Sequence, residues 1–131
     1  MMTDREMRQR LAEAMGWMDL RAGAVRTLSG VFPEQNILVR TEVPDPLERD
    51  QDAALLRAWC VAQGWYLDLR AMPDCLDRLG PRTGCTVTVR YEQPVKAGMY
   101  WAYASEEPDY CRRERLSLCR AVLAVLEAAE S

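Results

Sequence analysis

Polar side chains at every second position of two predicted strands give the chain the surface best suited to bind a ligand. With one tyrosine from a third strand, they form what we call the polar sheet face: Tyr66, Asp68, Arg70, Thr86, Thr88, Arg90 and Tyr100. Guanidinium groups and hydroxyls bind phosphate or carboxylate, and aromatic rings add flat contact area. The pattern is consistent with a site for a small phosphorylated ligand, with a site for a partner's acidic loop, or with the solvated side of a sheet.

The residue types argue against catalysis. The chain contains no histidine, which excludes a Ser-His-Asp triad, a Cys-His pair and any zinc site with histidine ligands. Asp68, Asp74 and Asp77 are candidate metal ligands and Cys75 is a candidate nucleophile, but neither spacing matches a known pattern. A carboxylate acting as a general base near neutral pH would also need a strongly shifted pKa. We therefore expect no enzymatic activity, no cofactor and no metal.

The five cysteines predict structural thiols. Their number is odd and no Cys-x-x-Cys spacing occurs, so neither a disulfide framework nor a zinc ribbon is indicated. Cys60, Cys85 and Cys119 fall on apolar faces of predicted elements, where a free cysteine acts as a small hydrophobe. The N-terminal residues do not resemble a signal peptide, and no apolar run approaches the roughly 20 residues of a membrane span. These features predict a cytoplasmic protein.

The net charge of −3 does not indicate a basic surface that would bind nucleic acid. One local cluster of cations lies on the last predicted helix: Arg112, Arg113, Arg115 and Arg120. Such a cluster could bind phosphate or a carboxylate-bearing partner. We favour instead the pairing of these arginines with Glu106, Glu107 and Glu114, on a solvated surface.

Three segments with alternating apolar and polar residues predict the sheet: 65–71, 84–92 and 98–104. The spacing of the last two predicts that they are antiparallel neighbours in a hairpin. Residues 108–129 carry apolar side chains over about half of a helical circumference, which is typical of a helix packed on a sheet. The apolar face of the sheet is therefore expected to lie under this helix.

The predicted helices in the first half of the chain are marked by capping residues. Thr3 and Glu6 have capping-box spacing, and Gly16 is expected to end the first helix. Asp45, followed by a proline, predicts the start of a second helix, which ends at Gly64.

The remaining segments have weak patterns. Residues 18–46 are broken by glycine and proline, and only 36–41 resemble a short strand. Residues 72–80 are expected to form a single helical turn. The sequence as a whole predicts a single α+β domain over residues 1–131. Its three- to four-stranded, mainly antiparallel sheet packs against helices as an α/β sandwich, in the order α-(β)-α-β-β-β-α.

Three segments resemble a family of small bacteriophage and prophage proteins, the phage ABA sandwich domain. They are Leu11-Ala-Glu-Ala-Met-Gly-Trp17, Asp50-Gln-Asp-Ala-Ala54 with Trp59 downstream, and Leu118-Cys-Arg-Ala-Val-Leu-Ala-Val-Leu126. The resemblance implies layered helices and sheet, and a phage or prophage origin in the cytoplasm of a bacterial host. It implies no reaction, and the polar sheet face departs from a sheet buried on both sides.

Two function hypotheses follow. The first is a binding protein that sequesters a small nucleotide or masks a host factor through the polar sheet face. The second is a structural protein of a phage that forms an oligomer and has no small-molecule ligand. Four tryptophans and five tyrosines favour the second, because aromatic residues concentrate at protein interfaces.

Overall fold

The computed structural model describes residues 2–24, 27–33, 39–72, 82–89, 98–104 and 106–130. The fold is mixed α+β with antiparallel sheets, which confirms the predicted fold class. Its elements are α1 (Asp4–Ala14), β1 (Met18–Ala22), β2 (Leu28–Val31), β3 (Arg40–Glu42), α2 (Asp50–Ala62), β4 (Trp65–Met72), β5 (Arg82–Val89), β6 (Gly98–Tyr103) and α3 (Tyr110–Glu130). The chain divides into two compact units, Met1–Asp45 and Pro46–Ser131. The single domain expected over residues 1–131 stays a prediction.

The first unit begins with the predicted helix α1. The backbone N–H of Glu6 donates to the Thr3 hydroxyl at 3.2 Å, and this hydroxyl donates to the Glu6 carboxylate at 3.1 Å. The helix is followed by Gly16 at φ +102°, a conformation that favours glycine. Both predicted ends of the helix are therefore confirmed.

A three-stranded antiparallel sheet in the order β1-β2-β3 completes the first unit, whereas the sequence predicted only one short strand there. Strand β1 was missed because four of its five residues are exposed, so it lacks the alternation of a half-buried strand. Strand β2 was missed because a glycine at position 30 is typical of a turn or loop that interrupts a strand. The site is tight, since a Cβ atom at Gly30 would lie 2.6 Å from Leu20 Cδ2 and 3.1 Å from the carbonyl oxygen of Met18, so these neighbours would have to shift.

Arg8 is a buried charge in the first unit and links α1 to the segment after β3. Its guanidinium donates to the carbonyl of Val43 at 2.5 Å and to that of Pro44 at 3.1 Å. It also forms ion pairs with Glu42 at 3.4 Å and Asp45 at 3.7 Å. The core beside it contains Ala12, Leu28 and Val43, with Trp17 and Leu20 packed against them.

The second unit begins with a turn, and α2 starts at Asp50 rather than at the predicted Asp45. The N-cap is Arg49, which is extended and makes no capping hydrogen bond through its side chain. The carbonyl of Leu47 instead accepts a hydrogen bond from Arg115 at 2.8 Å. This long-range contact holds the turn where the local capping pattern predicted a helix. The predicted end is confirmed, since Gly64 follows α2 at φ +83°.

The second sheet has the order β4-β5-β6 and is antiparallel throughout. Its register runs from Trp65↔Val89 to Met72↔Arg82 between β4 and β5, and from Gly84↔Tyr103 to Val89↔Gly98 between β5 and β6. The predicted hairpin of β5 with β6 is therefore confirmed. Residues 90–92 of the predicted strand and 73–80 of the predicted helical turn lie outside the described residues.

Helix α3 packs against β5 and β6, and α2 packs against β4. The α3 residues Leu118, Cys119, Val122 and Leu123 are buried, which confirms the expected amphipathic helix on the sheet. Its N-terminus is capped by Asp109, whose carboxylate accepts from the backbone N–H of Cys111 at 3.0 Å. Within the described residues, no helix is both long and apolar enough to cross a membrane.

Candidate functional site

The register of the second sheet brings together four residues of the polar sheet face. Tyr66 pairs with Thr88, and Asp68 pairs with Thr86. Paired positions of antiparallel strands lie on the same side of a sheet, and residues two apart along a strand share that side. The four positions therefore form a two-by-two array. Arg70 continues the same side, opposite Gly84.

This side of β4 is open to solvent. Tyr66 is 57% exposed and Asp68 is also exposed, whereas the intervening Leu67 and Leu69 are partly buried. Trp65, in phase with these leucines, makes an edge contact with Trp59 of α2 at 5.3 Å between ring centroids. The helices therefore cover the side of β4 that carries the leucines, and Tyr66 and Asp68 lie on the opposite side.

One described member of the predicted set, Tyr100, does not join this array. Tyr100 pairs with Val87, one residue out of phase with Thr86 and Thr88, so its position lies on the helix side of the sheet. Tyr100 is partly buried. The sequence pattern of β6 does not reveal this phase, because it depends on the register of the hairpin. Arg90 lies outside the described residues.

Two arginines of the α3 cluster pair with predicted acids, Arg112 with Glu107 and Arg120 with Glu106, whereas the predicted partner Glu114 pairs instead with Arg57 of α2. Arg112 forms ion pairs with Glu107 and, at 3.0 Å, with Glu48. Arg120 forms an ion pair with Glu106. Arg113 is buried and donates to the carbonyl of Glu107 at 2.7 Å. These contacts hold the first half of α3 to the segments before α2 and before α3.

The ion pairs shift two pKa values. Hydrogen bonding from Arg120 holds the pKa of the Glu106 carboxyl below its ordinary value. Burial lowers the pKa of Arg112, but hydrogen bonds and charge from Glu48 and Glu107 outweigh burial and raise it above its ordinary value. Both shifts stabilise the charged forms, as expected for structural ion pairs rather than for acid–base groups.

Sequence reasoning missed a cavity of about 260 Å³ among α2, α3 and β4. It is lined by Asp50, Ala53, Arg57, Leu69, Cys111, Glu114, Arg115 and Leu118. Arg57 and Glu114 each resemble an ordinary solvated charge on a helix, and they are too far apart in the sequence for a local pattern to connect them. Their ion pair, with 3.9 Å between Arg57 Nη1 and Glu114 Oε1, arises only because α2 and α3 are neighbours.

Of the candidate metal ligands and the candidate nucleophile, only Asp68 lies in the part of the chain that the structure describes. No cluster of three or more cysteine, aspartate or glutamate side chains that could hold a metal occurs there. Cys60 and Cys119 are buried, which confirms their predicted packing role, and Cys111 is exposed. Asp74, Asp77 and Cys75 lie outside the described residues.

No known protein family, curated protein or solved structure matches this chain. The resemblance to the phage ABA sandwich domain therefore stays a prediction. Its three segments correspond to the end of α1 with the residues after it, the start of α2 and the middle of α3. Several of their side chains are buried, including Leu11, Ala53 and Cys119. Each of the three segments therefore includes at least one packing position of its helix.

Proposed function

We propose that the chain is a non-enzymatic binding protein of phage or prophage type that uses the polar sheet face. It holds a small phosphorylated ligand such as a nucleotide, or covers the acidic loop of a host protein. The observation that supports this proposal most directly is the exposure of Tyr66 and Asp68 on the side of β4 opposite the helices. A sheet side that none of the described helices of its unit covers is accessible to a partner.

The composition of the array suits such a ligand. Tyr66 offers an aromatic face on which a nucleobase can stack, and Asp68 accepts hydrogen bonds from base or ribose donors. The guanidinium of Arg70 and the hydroxyls of Thr86 and Thr88 are chemically suited to phosphate oxygens. One surface therefore contains groups for every part of a nucleotide.

We expect Tyr66→Ala to weaken nucleotide binding by roughly tenfold or more, since stacking on an aromatic ring contributes about 1–3 kcal/mol per base. The measurement is a thermal-shift screen of the full chain against ATP, GTP and cyclic AMP, followed by calorimetry on each compound that stabilises it. Tyr110→Ala is the matched control, because Tyr110 is a tyrosine of similar exposure, 48%, at the start of α3.

Two outcomes would count against the nucleotide proposal. One is that no nucleotide stabilises the protein and that Arg70→Ala is silent in a phage-challenge assay. The other is that Tyr66→Ala and Tyr110→Ala bind a nucleotide equally well, which would place the site elsewhere.

A second candidate function is structural self-association, and the exposed side of α2 favours it. The residues on this side, which we call the apolar α2 face, are Ala54, Leu55, Ala58, Val61 and Ala62, and all are exposed. They recur at the spacing of a single helical stripe. The stripe is symmetric about Ala58, with alanines four residues away and Leu55 and Val61 three residues away. An antiparallel pair of such helices would place matching residues opposite one another, as a two-fold interface requires.

The size of this face limits the strength of the contact. A helix of 13 residues is about 20 Å long, so its single face supplies less than the roughly 800 Å² per partner of a standard interface. We therefore expect a weak dimer whose population depends on protein concentration.

Ala58→Glu is expected to abolish this dimer, because it would place two carboxylates near the two-fold axis without partners. Light scattering coupled to size-exclusion chromatography over a range of concentrations measures the change. Ala129→Glu, at an exposed position near the end of α3, is the matched control. A wild-type protein that stays monomeric at every concentration would contradict the self-association hypothesis.

A further inference from the structure

The cavity among α2, α3 and β4 is lined by apolar residues and by charges of both signs. Its apolar residues are Leu69, Ala53 and Leu118, of which Ala53 and Leu118 are almost fully buried. The Cys111 thiol and four charged side chains complete the lining: Asp50, Arg57, Glu114 and Arg115. All of these residues belong to the second unit, and none belongs to the polar sheet face.

The two ion pairs in this lining differ in how tightly they are held. Arg115 is mostly buried, contacts Asp50 at 2.6 Å and donates to the carbonyl of Leu47 at 2.8 Å. It is therefore a fixed part of the structure. Arg57 and Glu114 are 39% and 38% exposed, and their 3.9 Å separation is longer than a hydrogen bond. This second pair can accept another charged group at little cost.

The balance of charge indicates the class of ligand. Two guanidinium groups and two carboxylates give the lining a formal charge of zero, so an ion of one sign is attracted by one partner and repelled by the other. A ligand that carries an ammonium and a carboxylate close together is attracted by both members of an ion pair. An apolar group on the same ligand would fill the interior and displace water from it.

We propose that this cavity binds a free α-amino acid with a small apolar side chain. The ligand carboxylate lies against the guanidinium of Arg57, and its ammonium group lies against the carboxylate of Glu114. Its side chain packs on the partly buried Leu69. The volume of about 260 Å³ is below the roughly 300–1,000 Å³ of sites for drug-sized ligands, which suits a molecule of this size. The proposal extends beyond the proposed function and does not depend on it.

The test compares three probes that share one apolar tail: L-leucine, 4-methylpentanoate, which lacks the ammonium group, and 3-methylbutylamine, which lacks the carboxylate. Each is titrated into the full chain and followed by the amide chemical shifts of the residues lining the cavity. We expect saturable shifts for L-leucine. Each singly charged analogue loses one of the two charged contacts and should bind at least roughly tenfold more weakly, a difference of about 1.4 kcal/mol.

Matched variants separate binding from folding. Arg57→Gln and Glu114→Gln should each reduce the affinity for L-leucine by roughly tenfold or more. Arg120→Gln removes an arginine of α3 that pairs with Glu106 outside the cavity, and it should leave the affinity unchanged. If a single variant fails to fold, the double variant Arg57→Glu with Glu114→Arg replaces it in the test. This double variant keeps one charge of each sign in the lining, so it should still bind L-leucine.

Three results would overturn the proposal. The first is that L-leucine causes no saturable shift at concentrations of about 10 mM, roughly ten times a dissociation constant of about 1 mM. The second is that a singly charged analogue binds as tightly as L-leucine, and the third is that a folded Arg57→Gln protein keeps its full affinity for L-leucine. Because Tyr66 does not line this cavity, Tyr66→Ala should not affect L-leucine binding. Failure of this proposal and failure of the nucleotide proposal can therefore be told apart.

Discussion

Arg8→Met is expected to lower the free energy of unfolding of the Met1–Asp45 unit by about 3 kcal/mol. Two backbone carbonyls lose their hydrogen bonds from the charged guanidinium, and each such bond contributes about 1.5–3 kcal/mol. Those carbonyls belong to Val43 and Pro44, in the segment that follows β3. Methionine keeps an aliphatic stem of similar length, so the change removes the guanidinium more than it removes packing. The carboxylates of Glu42 and Asp45 lose their ion pairs with Arg8 at the same time.

Native-state hydrogen exchange measures this effect locally. The amide of Val43 is a suitable reporter, since it donates to the carbonyl of Leu28 at 3.0 Å and exchanges only when this contact opens. Arg5→Met is the matched control, because Arg5 is an exposed arginine on the same helix. Equal protection of Val43 in both variants would show that the buried guanidinium does not hold the segment after β3.

Leu56→Ala is expected to destabilise the Pro46–Ser131 unit by about 2–5 kcal/mol, the usual cost of truncating a buried leucine to alanine. The side chain of Leu56 is 0% exposed, on the opposite side of α2 from the apolar α2 face. Its truncation removes apolar contacts and leaves a cavity in a close-packed core. Alanine favours a helix, so the loss cannot be attributed to helix propensity.

The neighbouring residue supplies a control with the same chemistry. Leu55 is 52% exposed, and Leu55→Ala should change stability by no more than about 0.5 kcal/mol. Urea denaturation of both variants at low protein concentration, with exchange of the amides in the central turns of α2, measures the difference. Comparable losses in the two variants would contradict the observed orientation of α2.

Local patterns were sufficient to predict the second sheet and the helix that covers it. The alternation of Leu67 and Leu69 with Tyr66 and Asp68 predicted β4 and its two sides, because the side-chain period of a strand is two residues. The capping box at Thr3 and the glycine after α1 were also predictable from the sequence, since caps satisfy backbone groups within a few residues of the chain.

Local patterns failed where a distant residue determines the backbone. The start of α2 moved from Asp45 to Asp50 because Arg115, from another helix, binds the carbonyl of Leu47. Strand β2 was not recognised because Gly30 resembles a break, although glycine at this position permits the close approach of Leu20 and of the Met18 carbonyl. In both cases the deciding contact joins residues that no sequence window includes.

The candidate sites divide in the same way. The chain itself determined that Tyr66, Asp68 and Arg70 share one side of a strand, that no histidine is present and that arginines accompany acids on the last helix. Only the tertiary structure decided that Tyr100 falls on the other side of the sheet and that Arg57 meets Glu114 at the cavity among α2, α3 and β4. The physical reason is that alternation and capping act over a few residues, whereas strand register and helix packing depend on free energies summed over the whole unit.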